Sequence, residues 1–440
     1  MDANDFKSSD TFYFYNACFN ALELIKHYAV KNIVPTPGLL TNAFGVLINP
    51  KFLSILSKDN EGKVEELPIP ANWHADIAEF GAALRAVYLA EKSFTMIELG
   101  CGWGCWMNIT GVVAKRKGLK VNLIGLEGDA GHVEFAKEAL RDNGFRLDEY
   151  KLWHGIASSS KGTALFPIQD NAGVSWGLEP IFDLKKSDFN KLLKTGKYCS
   201  LNQYTLEEIS EGVDRIDLLH IDIQGGEENV VPLGIQFLSK KVAYLLIGTH
   251  SRQIEGIMFN CLLNAGWVLE IERPALLNVG GPSPIVTVDG VQGWRNPRLL
   301  TNPRLLTYDV QDFNGSLELI GDLNEAKENE VLMLKVRISN KSSTDWESGH
   351  TKPINISYHW LKEDGSCAIY DGERTELPEK AIRTGETKEQ AIKVISPASK
   401  GRYKLHLTLV QEGVTWFVSK NFISPNIFVR VTSESNVPSQ

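Results

Sequence analysis

The chain has 440 residues, 43% hydrophobic and 23% charged, and its 54 acidic against 46 basic residues give a formal net charge of −8. That length exceeds what one core usually organises, so two or three domains are expected. The acidic balance argues against a nucleic-acid backbone as main partner, and no uninterrupted apolar run reaches the roughly 18 residues that cross a bilayer. The opening MDANDFKSSD carries acids where a secretory leader would carry a basic stretch, so a cytoplasmic location is expected. Cys18, Cys101, Cys105, Cys199, Cys261 and Cys367 lack the spacing of a disulfide framework and are read as reduced. No second Cys/His pair accompanies Cys101 and Cys105, which argues against a zinc site.

Residues 1–70 alternate apolar stretches such as ALELIKHYAV with polar or Pro/Gly-rich loops and predict a mainly helical lead-in. In HADIAEFGAALRAVYLAEK, Ile77, Phe80, Leu84, Val87 and Tyr88 recur at helical spacing while Glu79, Arg85 and Glu91 interrupt, predicting an amphipathic helix. From there strand-like and helix-like runs alternate. SFTMIEL, KVNLIGLE and YKLWHGIAS read as strands, separated by helices ending at Gly118 and Gly144. After a polar insertion near 158–200, TLEEISEG offers a capping box at Thr205 and Glu208. The strands RIDLLHIDI and VAYLLIGTH, the helix IEGIMFNCLLNAG, and the strands WVLEIER and SPIVTVDG follow, the last two expected to pair as a closing hairpin. Such alternation predicts a mostly parallel sheet covered on both faces over residues 71–292.

The repeated NPRLLTNPRLLT marks a linker over 293–310, because the residue before each proline disfavours helix. Beyond it the apolar period becomes two. Leu332, Leu334, Val336 and Ile338 share one face, as do Ile354, Ile356, Tyr358 and Trp360, and Tyr403, Leu405, Leu407 and Leu409. Residues 311–440 are therefore expected to form an antiparallel, immunoglobulin-like β-sandwich.

The stretch MIELGCGWGCWM, residues 96–107, joins a buried strand to a helix through three glycines. Such a loop lets a ligand lie against bare backbone at the carboxyl edge of a sheet. The dinucleotide pattern Gly-x-Gly-x-x-Gly fails in both registers, since Cys105 or Met107 stands where the third glycine belongs. What remains is Glu98-x-Gly100-x-Gly102-x-Gly104, with Glu127 ending the next strand.

This pattern resembles the first motif of Rossmann-like methyltransferases that use S-adenosylmethionine. The segments IASSSKG, TLEEI, LLHIDIQGGEENVV and LLIGTHS follow in the order of their FkbM branch, whose Asp-x-x-Gly-x-Glu pattern falls on Asp222, Gly225 and Glu227, with Gln224 where many members carry glutamate. The resemblance covers about residues 70–290. It implies a seven-stranded sheet and S-adenosylmethionine contacts at Glu98, Gly100, Gly102, Trp103, Gly104, Glu127, Gly128, Ile156, Ala157 and Asp222. It also implies O-methylation of a sugar, glycan precursor or other natural-product hydroxyl.

A hydroxyl acceptor needs a base. His250, ending VAYLLIGTH at the ligand-binding edge, is the first candidate, and Asp222 is the second or the group that orients it; His220, between Leu219 and Ile221, is read as core. Asp222 with Glu227 could instead hold a divalent cation, a reading that is not favoured. Trp73, His74 and Glu79 precede the loop and are candidates to line the pocket. The sandwich carries Trp346, Trp360 and Trp416, which suggest either a sugar-binding face or ordinary core, with Trp360 in the core row. Sugar recognition, homo-oligomerisation and docking to a glycan-assembly complex are the roles it would serve. A catalytically inactive methyltransferase fold serving as a binding scaffold is the non-enzyme alternative.

Overall fold

The computed structural model describes residues 10–56, 58–281, 283–301, 310, 312–348 and 352–433. It divides into two compact units, 1–306 and 307–440.

In the first unit, β1 (Asn16–Ala17) and α1 (Ala21–Tyr28) precede α2 (Ile77–Leu89). Then come β2 (Ser93–Leu99), α3 (Cys105–Arg116), β3 (Lys120–Glu127), α4 (Ala130–Asp142) and β4 (Tyr150–His154). After the insertion follow β5 (Leu218–Ile221), α5 (Glu227–Leu233), β6 (Tyr244–Thr249), α6 (Arg252–Asn264), β7 (Val268–Arg273) and β8 (Gly290–Arg295). One sheet runs β1-β7-β8-β6-β5-β2-β3-β4. The strands β6, β5, β2, β3 and β4 are parallel, whereas β8 is antiparallel to both neighbours. This is the mostly parallel Rossmann-like sheet, with β1 added as an eighth strand at one edge. Chain order reverses at β2, whose neighbours are β3 and β5, so a crevice opens beyond the carboxyl ends of β2 and β5.

Local signals explain the element boundaries. Asp76 caps α2 by accepting from the Ala78 and Glu79 amides, and the Thr205–Glu208 capping box closes in both directions. Helix α2, however, is not amphipathic. Arg85 is fully buried beside Ile77, Phe80, Leu84 and Val87, and its guanidinium lies 2.8 Å from Glu270, which also pairs with Arg295 at 2.6 Å. The polar interruption in the sequence is thus a buried charge network rather than a solvent face. The reason is the lead-in: α1 crosses α2 so tightly that a Cβ on Gly81 would meet the Ala21 Cβ at 2.7 Å. Residues 10–56 contain a single α-helix among the described residues, and Phe19, Leu24, Phe44 and Phe52 join the same core as Phe80 and Trp106.

The closing hairpin also differs from expectation. Strand β7 pairs with β8, while Ile285–Val288 pairs with Leu276–Asn278 in a separate two-stranded ribbon. Residues 293–295 therefore belong to a strand held between β6 and β7, not to the linker. Gly293 reads as loop in sequence, but a side chain there would strike Ile271 at 2.6 Å. The second copy of the repeat, 302–307, lies outside the described residues.

The second unit has its own core. Here β9 (Gly315–Ile320), β10 (Val331–Asn340), β11 (Ile354–Lys362), β12 (Thr387–Ile395), β13 (Gly401–Gln411) and β14 (Asn426–Thr432) are the long strands. One sheet contains β12-β10-β9 with the short strand Phe422–Ile423, and the other is built around β14-β13-β11. Ile354, Ile356, Tyr358 and Trp360 of β11 meet Val336 and Ile338 of β10 and Leu405, Leu407 and Leu409 of β13 in one cluster. The period-two faces are thus buried. Trp346, like Trp360, is fully buried, so its exposed-looking sequence context misleads, whereas Trp416 is partly exposed.

Candidate active site

A cavity of about 750 Å³ opens at the switch point. Its floor is the glycine loop. Gly100 approaches β5 so closely that a Cβ would sit 2.0 Å from the Asp222 carbonyl oxygen, and its φ is +75°. At Gly102, φ +53°, a Cβ would press on the Trp176 ring at 2.8 Å. Only bare backbone fits at these two positions.

Glu98, at the end of β2, is buried and accepts from the Met107 amide at 2.9 Å, tying the start of α3 to the strand. Burial raises its pKa. His220 stands against it, Nδ1 3.5 Å from Glu98 and Nε2 3.8 Å from Glu79. His220 is buried as expected, yet it also contributes to the cavity wall. Glu127 accepts from the Gly102 amide at 2.8 Å and from the Asp129 amide at 2.8 Å, which fixes its carboxylate at the cavity surface while leaving lone pairs available. His132 lies 3.8 Å from Glu127 and stacks on Trp176 at 3.9 Å and 3°.

Of the sequence-predicted contacts, Glu98, Gly100, Gly102, Trp103, Glu127, Gly128, Ile156, Ala157 and Asp222 line this one cavity. Gly104 does not. Its φ of +77° turns the chain into α3, and a Cβ there would meet Asn108 Nδ2 at 3.3 Å and Ala136 of α4 at 3.6 Å, so it serves the turn and helix packing. Phe166, Trp176 and Leu178, from the polar insertion, complete the wall. Sequence reasoning missed these, because irregular, polar segments carry no periodicity to reveal which side chains turn inward, and it missed His132 in the first turn of α4, whose inward face is set by its packing against Trp176 of that segment.

The other end of the cavity holds Asp222, whose side chain is 43% exposed. Gln224, which also lines the wall, has φ +52° and donates to Asp222 at 3.4 Å. A non-glycine residue in that region is strained, and such strain concentrates at functional turns. His250 is not among the cavity-lining residues. It lies behind Asp222, with Nε2 3.1 Å from the Asp222 carboxylate and Nδ1 3.1 Å from buried Glu227. Glu227 in turn accepts from the Ile223 and Gly225 amides at 2.8 and 2.9 Å. Burial pulls the His250 pKa down, but the two carboxylates outweigh it and push it up to about 10. At Asp222 the loss of hydration in the cavity favours the neutral acid, yet His250 outweighs it and holds that carboxyl below its ordinary range. A histidine protonated on both nitrogens has no lone pair for a substrate proton. His250 is thus held between two carboxylates and set back from the cavity surface.

Donor atoms of Asp222, Glu227 and His250 lie within 4.8 Å of one another. Both His250 nitrogens already face carboxylates, so a cation would have to displace a ring proton; a protonated His250 against Asp222 and Glu227 leaves the set with one excess negative charge. Of the three candidates preceding the loop, His74 lines the cavity, whereas Trp73 donates to Glu65 and Glu79 stays behind His220. The His74 Nε2 is buried with no hydrogen-bond partner among the described residues. Burial, reinforced by His220, lowers its pKa to about 4, so the ring is neutral.

Fold and site together define a Rossmann-like α/β unit with a ligand cavity at the switch point of its sheet. The chain is 45% identical over 276 residues to a protein of Jannaschia sp. (strain CCS1) described as a "Putative methyltransferase", a match covering 62% of this chain and 98% of the relative. It belongs to that methyltransferase family. No family model matches the chain. Among solved structures, similarity extends to methyltransferase FkbM from Methylobacillus flagellatus KT, at 13% identity and a TM-score of 0.31 over 50% of this chain and 54% of that one. It also extends to precorrin-6y C5,15-methyltransferase from Geobacter metallireducens GS-15, at 10% identity and a TM-score of 0.28 over 48% and 86%.

Proposed function

We propose that this methyltransferase is S-adenosylmethionine-dependent, resembles the FkbM branch, and methylates a hydroxyl of a sugar or glycan precursor. The observation that carries the reading is one cavity with a bare glycine loop and the Glu127 carboxylate at one end and an anionic Asp222 at the other. The residues fit the cofactor. Gly100 and Gly102 leave backbone free for its methionine and ribose portions, Glu127 offers lone pairs to ribose hydroxyls, and Gly128, Ile156, Ala157 and Phe166 form an apolar slot for a base. When bound, the cofactor supplies an electrophilic methyl group with its leaving group already activated.

The chain's remaining task is to align the acceptor and take its proton. Asp222 is the proposed base, receiving the hydroxyl proton on its carboxylate. His250 is a positioning residue that holds Asp222 anionic and oriented. His74 offers the acceptor a second, neutral hydrogen-bond partner within the same cavity. The C-terminal unit is read as an immunoglobulin-like sandwich for recognition or assembly.

Two measurements test this. Calorimetry with S-adenosylhomocysteine should give saturable binding, and its absence would favour a non-enzymatic scaffold. A screen of nucleotide sugars and oligosaccharides should then yield a product heavier by one methylene. Transfer only to non-saccharide hydroxyls would overturn the glycan part of the reading.

A further inference from the structure

The second unit carries an aromatic cluster outside its core. Along β11 the side chains of Tyr358 and Trp360 enter the core, so His359 between them turns to the opposite face of the sheet. His406 of β13 is its register partner on that face. Tyr370 stacks on His359 at 4.9 Å and 23°, and Trp416 approaches His359 at 4.3 Å and Tyr370 at 5.7 Å. Together with Leu361 and Thr415 these residues line a cleft of about 600 Å³. The Tyr370 ring is 62% exposed. A tyrosine so exposed, gathered with His359, His406 and Trp416 on the outer side of a sheet, needs a reason other than core packing.

The polar groups around the cleft indicate what it would hold. Arg374 lies over the Trp416 ring at 5.0 Å, but its charge is matched by Asp371 at 2.7 Å and Glu412 at 2.6 Å. Burial lowers the pKa of both His359 and His406, so neither supplies a cation at neutral pH. His359 is bonded to the Tyr370 carbonyl and His406 to Ser424 at 2.6 Å. With one guanidinium against two carboxylates, the site disfavours an anion. It offers flat π-faces beside hydroxyl and carboxylate groups, including Asp371, adjacent to Tyr370 and 67% exposed. Axial C–H groups of a pyranose ring present an apolar face to such a surface, while its equatorial hydroxyls need polar groups at the edge.

We propose that this cleft binds a neutral hexopyranose unit of an oligosaccharide, stacked on Tyr370 and Trp416, with Asp371 and Thr415 addressing its hydroxyls. This extends beyond methyl transfer, because the cleft is argued from its own residues and would hold a saccharide whether or not the first unit methylates one. Isothermal titration of the full chain with cellohexaose, maltohexaose and chitohexaose tests it. At least one should bind saturably, and Tyr370→Ala should weaken that binding by at least about tenfold while leaving S-adenosylhomocysteine binding unchanged. Asp371→Asn, at an exposed position, should weaken it several-fold and keeps the test open if the tyrosine variant misfolds. No binding of any of the three, or undiminished binding in both variants, overturns the proposal. Saccharide binding without S-adenosylhomocysteine binding would instead overturn the methyltransferase reading alone.

Discussion

The proposed chemistry rests on two carboxylates that differ in what surrounds them. Glu127 is held by backbone amides, so Glu127→Ala should weaken S-adenosylhomocysteine binding by about 1–3 kcal/mol, the contribution of a hydrogen bond to a charged acceptor. Calorimetry checks this, and unchanged affinity would remove Glu127 from the cofactor site. Asp222 is held by an imidazolium. Asp222→Asn should lower kcat by roughly two to four orders of magnitude, the usual contribution of a positioned general base. His250→Gln tests the positioning role. Removing the cation lets the Asp222 pKa rise, so the acid limb of the pH–rate profile should move to higher pH, a shift that mere loosening of the fold would not produce. The same pair gives a stability signature. A histidine raised from 6.5 to about 10 stabilises the folded state fully below pH 6.5, and that contribution fades as pH rises toward 10. Chemical denaturation at pH 6 and pH 10 should show a loss in the native chain that His250→Ala lacks.

Among the elements, what could be read from sequence was what a few neighbouring residues determine. The loop between β2 and α3, the acid ending β3, and the Thr205–Glu208 capping box each depend on local backbone geometry, and each stands where its residues imply. The pairing of β7 escapes sequence reading because Ile285–Val288 is the more strand-like segment, while GVQGWR, with two glycines, reads as the approach to the linker although it is the strand that the sheet accepts. His250 stands at the edge its sequence implies, but between two carboxylates and outside the cavity lining. Its protonation depends on Glu227, which reaches it only through the turn after β5. The Trp176 segment was invisible, yet it sits on the glycine loop. From that contact, Gly102→Val should abolish S-adenosylhomocysteine binding while far-ultraviolet circular dichroism stays native. A branched side chain there would meet the indole and force an unfavourable backbone angle. Wild-type binding in the variant would make the loop a turn and nothing more.

For the molecule as a whole, the decisive property is that apolar burial is divided between separate cores. Among the described residues, the cluster containing Val336, Trp360, Leu407 and Val429 draws on residues from 310 onward, while Phe80, Trp106 and Leu246 belong to another cluster. A unit whose sheets cover each other in this way has the burial it needs to fold alone. Cutting the chain between residues 302 and 309 should therefore release a C-terminal fragment with a cooperative thermal transition. The intact chain should lose the S-adenosylhomocysteine-sensitive transition independently of that one, because a ligand raises the stability only of the unit that binds it. Differential scanning calorimetry with and without S-adenosylhomocysteine checks both statements. An aggregated fragment, or a single transition that shifts as a whole with ligand, would mean that the two units unfold as one and that the second contributes to the stability of the catalytic cavity.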